Sequence, residues 1–211
     1  MNRKIFALLL LGIGAVMATV EPDVCKLIRS KYNKNAYIRV EIDQSSYWSV
    51  REKTGRKRGT VILAPGNRFR VEMANETFTS DGTTLRHFDR NNNQLTISNL
   101  AQLDRTVLPS YFLTCFLDDY RFTEKERSGD EVALVWSAPQ KDGLSTDIDG
   151  YRSITLKAKA TSGILVSIVA VDRSDNVHTY NFKKTVFGRA EPDEVFHFEV
   201  PPDANIVDNR H

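Results

Sequence analysis

The chain has 211 residues and carries 29 basic against 27 acidic side chains. With Arg3 and Lys4 assigned to a leader, 27 basic residues balance 27 acidic ones, which removes the compositional argument for nucleic-acid binding. No later segment approaches the ~20 apolar residues of a membrane-spanning helix, and no linker, repeat or low-complexity tract divides the rest.

The beginning of the chain reads as a secretory signal peptide. Asn2-Arg3-Lys4 is a basic start, and Ile5 to Val16 is an apolar run broken by Gly12 and Gly14. Val16-Met17-Ala18 places small residues before a cleavage site. The expected organisation is residues 1–18 as signal peptide and 19–211 as a single domain. Glu21-Pro22-Asp23-Val24 precedes Cys25, where a lipidation site would need small and apolar residues. The exported protein is therefore expected to be soluble and not lipid-anchored. In an oxidising compartment Cys25 and Cys115 could be joined in a disulfide or remain two buried thiols.

Pro22 to Lys34 predicts a helix, because Val24, Ile28 and Tyr32 recur every fourth residue with Cys25 on the same stripe. The period then changes to two. Ile38, Val40 and Ile42 alternate with Arg39, Glu41 and Asp43, and Tyr47, Trp48 and Val50 continue the strand. Thr54 to Gly59 predicts a basic hairpin turn, and Val61 and Leu63 resume the alternation. Next, Phe69, Val71 and Met73 share one face, opposite Arg68, Arg70 and Glu72. Ser80-Asp81-Gly82 and Asn91-Asn92-Asn93 are turns on either side of a strand begun by Leu85, and Leu95 and Ile97 follow. Leu100 to Tyr120 returns to helical spacing, interrupted by Pro109. Strands are expected again at 122–127, 132–136, 152–160, 165–172, 177–183 and 195–200. About ten strands with three short helices predict a mostly β fold with some α. An antiparallel sheet of that length curls into a barrel or half barrel, its helices closing the mouth or core.

No chemistry-bearing motif stands out. His87, His178, His197 and His211 lack metal-ligand spacing, and the chain contains no C-x-x-C, G-x-S-x-G, P-loop or dinucleotide fingerprint. Asp147-Ile148-Asp149-Gly150 fails the calcium-loop pattern at Ser145 and Leu156. Asp118-Asp119 reads as the polar end of a helical segment. Neither a catalytic residue nor a metal or cofactor is expected. The basic run Arg51–Arg58 is either a charged, soluble hairpin tip or a docking patch for an acidic partner or an anionic membrane. Ile38, Val40, Ile42, Leu63, Phe69, Val71, Met73, Leu95 and Ile97 either fill an ordinary core or line a cavity suited to acyl chains. Each CH₂ buried there would contribute about 0.8 kcal/mol.

Four pieces, in order, resemble the periplasmic outer-membrane lipoprotein carrier family, LolA: Ile38–Gln44, then Pro65–Glu72 (PGNRFRVE), then Ser80–Leu85 (SDGTTL) with Asp89 and Gln94, then Phe196–Asp208 (FHFEVPPDANIVD). The resemblance implies a curved antiparallel sheet forming an unclosed half barrel, covered by a helical lid over a hydrophobic cavity, with no catalysis. On it, Val107, Leu108, Phe112, Leu113, Phe116 and Leu117 belong to the lid. The implied partners are acylated lipoproteins, an inner-membrane lipoprotein-releasing ATP-binding-cassette exporter and an outer-membrane receptor. The implied protein is a periplasmic monomer. The alternative is an envelope adaptor or sensor of the same fold that binds another lipid or a protein. Three positions depart from the family pattern: Ala64 where Arg is frequent, Arg86 where Trp is frequent, and Asp203-Ala204-Asn205 in place of a Gly-containing turn.

Overall fold

A computed structural model describes residues 23–33, 37–103, 109, 121–137, 140–141, 144–145 and 151–210. The expected signal peptide, the lid side chains Val107, Leu108, Phe112, Leu113, Phe116 and Leu117, and Cys115 lie outside the described residues.

The amphipathic stripe at the start forms helix α1 (Asp23–Lys31), with Asp23 in its first turn and Arg29 and Lys31 in its last. Those charges complement the helix dipole. Seven strands follow: β1 (Ile38–Trp48), β2 (Lys53–Ala64), β3 (Arg68–Met73), β4 (Glu76–Asp81), β5 (Thr84–Asp89), β6 (Gln94–Asn99) and β7 (Arg121–Ser128). Beyond them come β8 (Glu131–Ser137), β9 (Gln140–Lys141), β10 (Leu144–Ser145), β11 (Tyr151–Lys159), β12 (Leu165–Asp172), β13 (Val177–Phe187) and β14 (Asn205–Asp208). Twelve of these make one sheet in the order β14-β6-β5-β4-β3-β2-β1-β13-β12-β11-β8-β7, and β9 and β10 pair separately. The sheet is two meanders joined where β1 meets β13. It does not close on itself, so the fold is an unclosed β-barrel carrying a helix. All pairs are antiparallel except β14, which runs parallel to β6.

Directly paired residues share a face, which divides the sheet into two. Ile38, Val40 and Ile42 pair with Leu63, Val61 and Gly59 of β2, and Leu63 and Val61 pair in turn with Phe69 and Val71 of β3. This inner face also holds Leu134, Leu156 and Ile168, and α1 packs on it through Val24, Cys25, Ile28 and Tyr32. The Tyr32 hydroxyl accepts a hydrogen bond from Leu165 N at 3.1 Å, and its ring meets Phe187 edge-on at 5.3 Å. Burial pushes the Tyr32 phenol above its ordinary pKa. Gly163 makes the close approach possible, since a Cβ there would lie 2.7 Å from Leu27 Cβ. A bulge in β13 sets Phe182 opposite Ile42 after Lys184 opposite Glu41, so Lys183 is the extra residue. Without it, Lys183 would occupy the inner face; instead it reaches Asp43 on the outer side at 3.6 Å.

The outer face of β2–β6 is covered as well. Phe196 is buried against Ile62 and Ala64, and Phe198 meets Phe88 with ring centroids 5.0 Å apart. Arg70 Nη1 donates to the carbonyls of Val195 and His197 at 3.1 and 3.2 Å, and the Arg68 guanidinium lies 5.1 Å from the Phe196 ring. The segment expected as a strand at 195–200 is therefore a 3₁₀ turn (Asp193–Phe196) and an extended strap. Its backbone is held by the Arg70 side chain, while Arg68 holds the Asp193 carboxylate and the Phe196 ring. Ala64, the first departure from the family pattern, sits beneath this strap, where a longer side chain would displace Phe196.

The turn read from sequence at Ser80-Asp81-Gly82 interlocks with a second one. Gly66 and Asn67 turn β2 into β3 with φ of 79° and 59°, and Gly82 turns β4 toward β5 with φ of 100°. Asp81 Oδ1 accepts hydrogen bonds from Thr83 N and Thr84 N, both at 2.9 Å, while Arg86 Nη1 donates to Oδ2 at 2.9 Å. Arg86 thus has a role here that Trp could not fill. Burial alone would raise the Asp81 carboxyl; the bonds from Arg86 and the two backbone N–H groups outweigh it and hold the group well below the usual carboxylate range.

A Cβ on Gly82 would lie 2.4 Å from the Gly66 carbonyl oxygen, whereas one on Gly66 meets nothing. Gly66→Ala is expected to cost about 1 kcal/mol from the backbone conformation alone. Gly82→Ala adds a backbone clash and should exceed that in urea unfolding; equal costs would remove the interlock. Because the folded Asp81 carboxyl holds its proton less tightly than the unfolded one, its stabilisation is complete above about pH 4 and fades as the pH falls further. Asp81→Asn should flatten that acid limb in pH-dependent thermal melts.

Candidate functional site

The candidate site is the inner face between α1 and the far end of β1. Seven of the nine residues expected to line a cavity share this face. Ile38, Val40, Ile42, Leu63 and Phe69 are buried, while Val71 and Met73 are half-buried and pack against the same core. Leu95 and Ile97 do not join them. Phe88 pairs with Leu95 and Arg86 with Ile97, and Arg86 stands opposite Thr79, which stands opposite Arg70 on the outer face. The error has a simple source. Alternation shows which residues share a face within one strand, but the chain reverses at each turn, and turn length decides which face the next strand presents. On β6 the inner face instead carries Thr96 and Ser98, opposite His87 and Leu85.

Val71, Met73, Phe78, Phe182 and Phe187 form a half-buried apolar band on the inner face. The His87 ring stacks on Phe78 at 4.1 Å with an interplanar angle of 5°, extending the band. Beyond Ile42 the inner face turns polar. Gln44 pairs with Tyr180, and Ser46 with His178. With Trp48, Lys57 and Tyr151 they line a pocket of about 320 Å³. Ser46 Oγ and His178 Nδ1 are 2.9 Å apart, and the Tyr151 ring meets His178 edge-on at 6.4 Å. Burial, with a smaller effect from Tyr151, raises the Tyr180 phenol far above its ordinary pKa.

Sequence reasoning missed this cluster. Ser46 and His178 are 132 residues apart and meet only because β1 pairs with β13. The available signal was the shared parity of His178, Tyr180 and Phe182. Although Ser46, His178 and Asp172 superficially suggest a hydrolytic triad, their geometry does not fit one. His178 Nε2 lies 3.7 Å from Asp172 Oδ2, beyond hydrogen-bond distance. The Asp172 carboxylate is instead engaged by Ser174 N at 2.8 Å and by Asn176 N and Nδ2 at 2.9 and 2.8 Å. Burial raises its pKa, and these bonds bring it below the ordinary value. Ser46 lies mid-strand with both neighbours paired, so its backbone supplies no oxyanion donor. Among the described residues no cluster of His, Cys, Asp and Glu could hold a metal ion, and no helix is long and apolar enough to cross a membrane.

One further expectation changes here. The basic run Arg56–Arg58 lies within β2, and the β1–β2 hairpin turns earlier, at Ser49–Glu52, where Glu52 adopts a left-handed conformation. Cys25 is buried in the α1 core, while Cys115 is outside the described residues.

No family model matches the chain, and no curated protein matches it. Solved structures do. An uncharacterized conserved protein from Thermus thermophilus aligns over 88% of this chain and 97% of its own, with a TM-score of 0.54 and 14% identity. A LolA superfamily protein from Nitrosomonas europaea aligns over 83% and 96%, with a TM-score of 0.43 and 12% identity. LprF from Mycobacterium bovis aligns over 88% and 99%, at 0.43 and 12%. At 14% identity the likeness to the Thermus thermophilus protein concerns the fold alone.

The face assignment can be measured. Leu95→Ala should cost about 2–5 kcal/mol of stability yet leave binding of an environment-sensitive apolar dye to the inner face unchanged. Loss of dye binding in the folded variant would return Leu95 to the site.

Proposed function

We propose that the mature chain, residues 19–211, is a soluble periplasmic carrier that binds the acyl chains of lipoproteins on the inner face of its half barrel. The observation that carries this reading is the half-buried apolar band of Val71, Met73, Phe78, Phe182 and Phe187 continuing from a fully buried core. Acyl chains laid on that band would gain about 0.8 kcal/mol per buried CH₂. The polar pocket at Gln44, Ser46 and His178 then receives the cargo's polar end. The motif resemblance at Pro65–Glu72, Ser80–Leu85 and Phe196–Asp208 supports the same reading. The basic start and apolar run of residues 1–18 support export, and the resemblance implies a lid at Val107–Leu117. It also supplies the route, from an inner-membrane ATP-binding-cassette exporter to an outer-membrane receptor, with the carrier acting as a monomer and performing no catalysis. The Ser46–His178–Tyr180 pocket favours one second reading, an envelope adaptor or sensor of this fold that binds another lipid or a protein partner.

Native mass spectrometry of the protein purified from its own periplasm is expected to show bound lipoprotein. Val71→Glu places a charge in the band at a half-buried position and should lower complex formation with a triacylated lipoprotein at least about tenfold, while the fold is retained. Unchanged complex formation in a folded variant refutes the carrier reading. A lipid-free protein recovered with a protein partner selects the adaptor.

A further inference from the structure

The β1–β2 hairpin tip exposes what a soluble loop normally hides. Tyr47 and Trp48 are each 39% exposed and Val50 is 90% exposed. Three of the six exposed large apolar side chains among the described residues therefore fall within four positions. Five exposed cations follow on the returning strand side: Arg51 and Lys53 beside the apex, and Arg56, Lys57 and Arg58 paired with Ser45, Gln44 and Asp43 below it. Lys57 pairs with Glu76 at 2.7 Å and Arg58 with Asp43 at 3.3 Å. Arg51, Lys53 and Arg56 have no ion-pair partner among the described residues.

The tip is also held in place. Ser49 N donates to Asn176 Oδ1 at 2.9 Å, and Ser49 Oγ donates to the Ser174 carbonyl, tying it to the β12–β13 turn. The Trp48 ring lies against Gly55, where a Cβ would stand 2.8 Å from it. Val50 is thereby presented outward on an ordered apex. An acidic protein would satisfy the cations but gives no account of an aliphatic apex flanked by two aromatic rings. A bilayer interface matches all three features. Aromatic rings favour the headgroup layer, an aliphatic side chain favours the hydrocarbon edge, and cations favour anionic headgroups.

We propose that the Tyr47–Arg58 tip docks the protein reversibly on a bilayer bearing anionic phospholipid, with Val50 and Trp48 in the headgroup layer and Arg51, Lys53 and Arg56 on the phosphates. Trp48 and Lys57 also line the polar pocket, so docking brings the mouth of the inner face to the membrane surface. The proposal does not require that the cargo be a lipoprotein.

The test is co-sedimentation with phosphatidylcholine vesicles, with and without phosphatidylglycerol, while following Trp48 fluorescence. Trp136 is buried and provides a constant background. The expected result is binding to the anionic vesicles alone, weakened by salt, with a blue shift of Trp48 emission. Arg51→Glu, Lys53→Glu and Arg56→Glu together should reduce binding by at least about a hundredfold, from roughly fivefold per cation. Val50→Asp, at a site too exposed to disturb folding, should abolish the blue shift. Binding to neither vesicle type overturns the proposal and leaves the tip to an acidic protein. Equal binding to both types, or an undiminished blue shift in Val50→Asp, also overturns it. Apolar dye binding to the inner face, measured in parallel, keeps this outcome separate from failure of the acyl-binding reading.

Discussion

The structure depends on the register of β1. This strand pairs with β2 on one side and β13 on the other, and it is where the two meanders become one sheet. Setting Ile38 opposite both Leu63 and Phe187 sends Val40 and Ile42 to the inner face and Arg39 and Glu41 outward. A slip of one residue would exchange those sets, burying charge and exposing the core of the whole sheet. The bulge at Lys183 belongs to the same constraint, because it restores the inner face to Phe182 after the pairing at Val40 and Thr185.

The two halves of the sheet solve burial differently. Around β11 and β12 the inner face is tightly filled by α1 against Leu156, Ala158, Leu165 and Ile168. Around β2 to β6 the outer face also buries apolar residues, Ile62, Ala64, Phe88 and Leu95, among polar ones. The outer face needs a cover of its own, supplied by Phe196 and Phe198 and clasped by Arg68 and Arg70. That outer layer accounts for Leu95, Phe88 and Ile62 without calling on ligand. It leaves the half-buried band from Val71 to Phe182 as the surface on which the proposed carrier function rests.

Along β1 the inner face changes from Ile38, Val40 and Ile42 to Gln44 and Ser46, then to Trp48 and the exposed tip. One strand therefore runs from a sealed core through a polar pocket to an exposed apex. The proposed acyl binding and the proposed membrane docking would use different stretches of this gradient.

Much of this was legible before the fold was known. The α1 stripe of Val24, Ile28 and Tyr32, the alternation in β1 and β3, and the Asp81-Gly82 turn each rest on interactions within a few residues. Local periodicity and turn chemistry suffice for these. The mostly β, curled architecture followed from the number and spacing of such pieces, and that it stays unclosed from the motif resemblance. Two things were not legible locally: where the β1–β2 hairpin turns, and that residues 195–200 form a strap. In the first case long pairing with β1 drew the cations Arg56 to Arg58 into a strand. In the second, the Arg70 side chain rather than a strand edge bonded the backbone carbonyls. Alternation along each strand is written in the local sequence. Which face a strand presents, with Leu95 outside and Ser46 beside His178, follows from the pairings between strands. The reason is physical: face and partner are set by pairings between segments far apart in the chain, whose closure no local preference encodes.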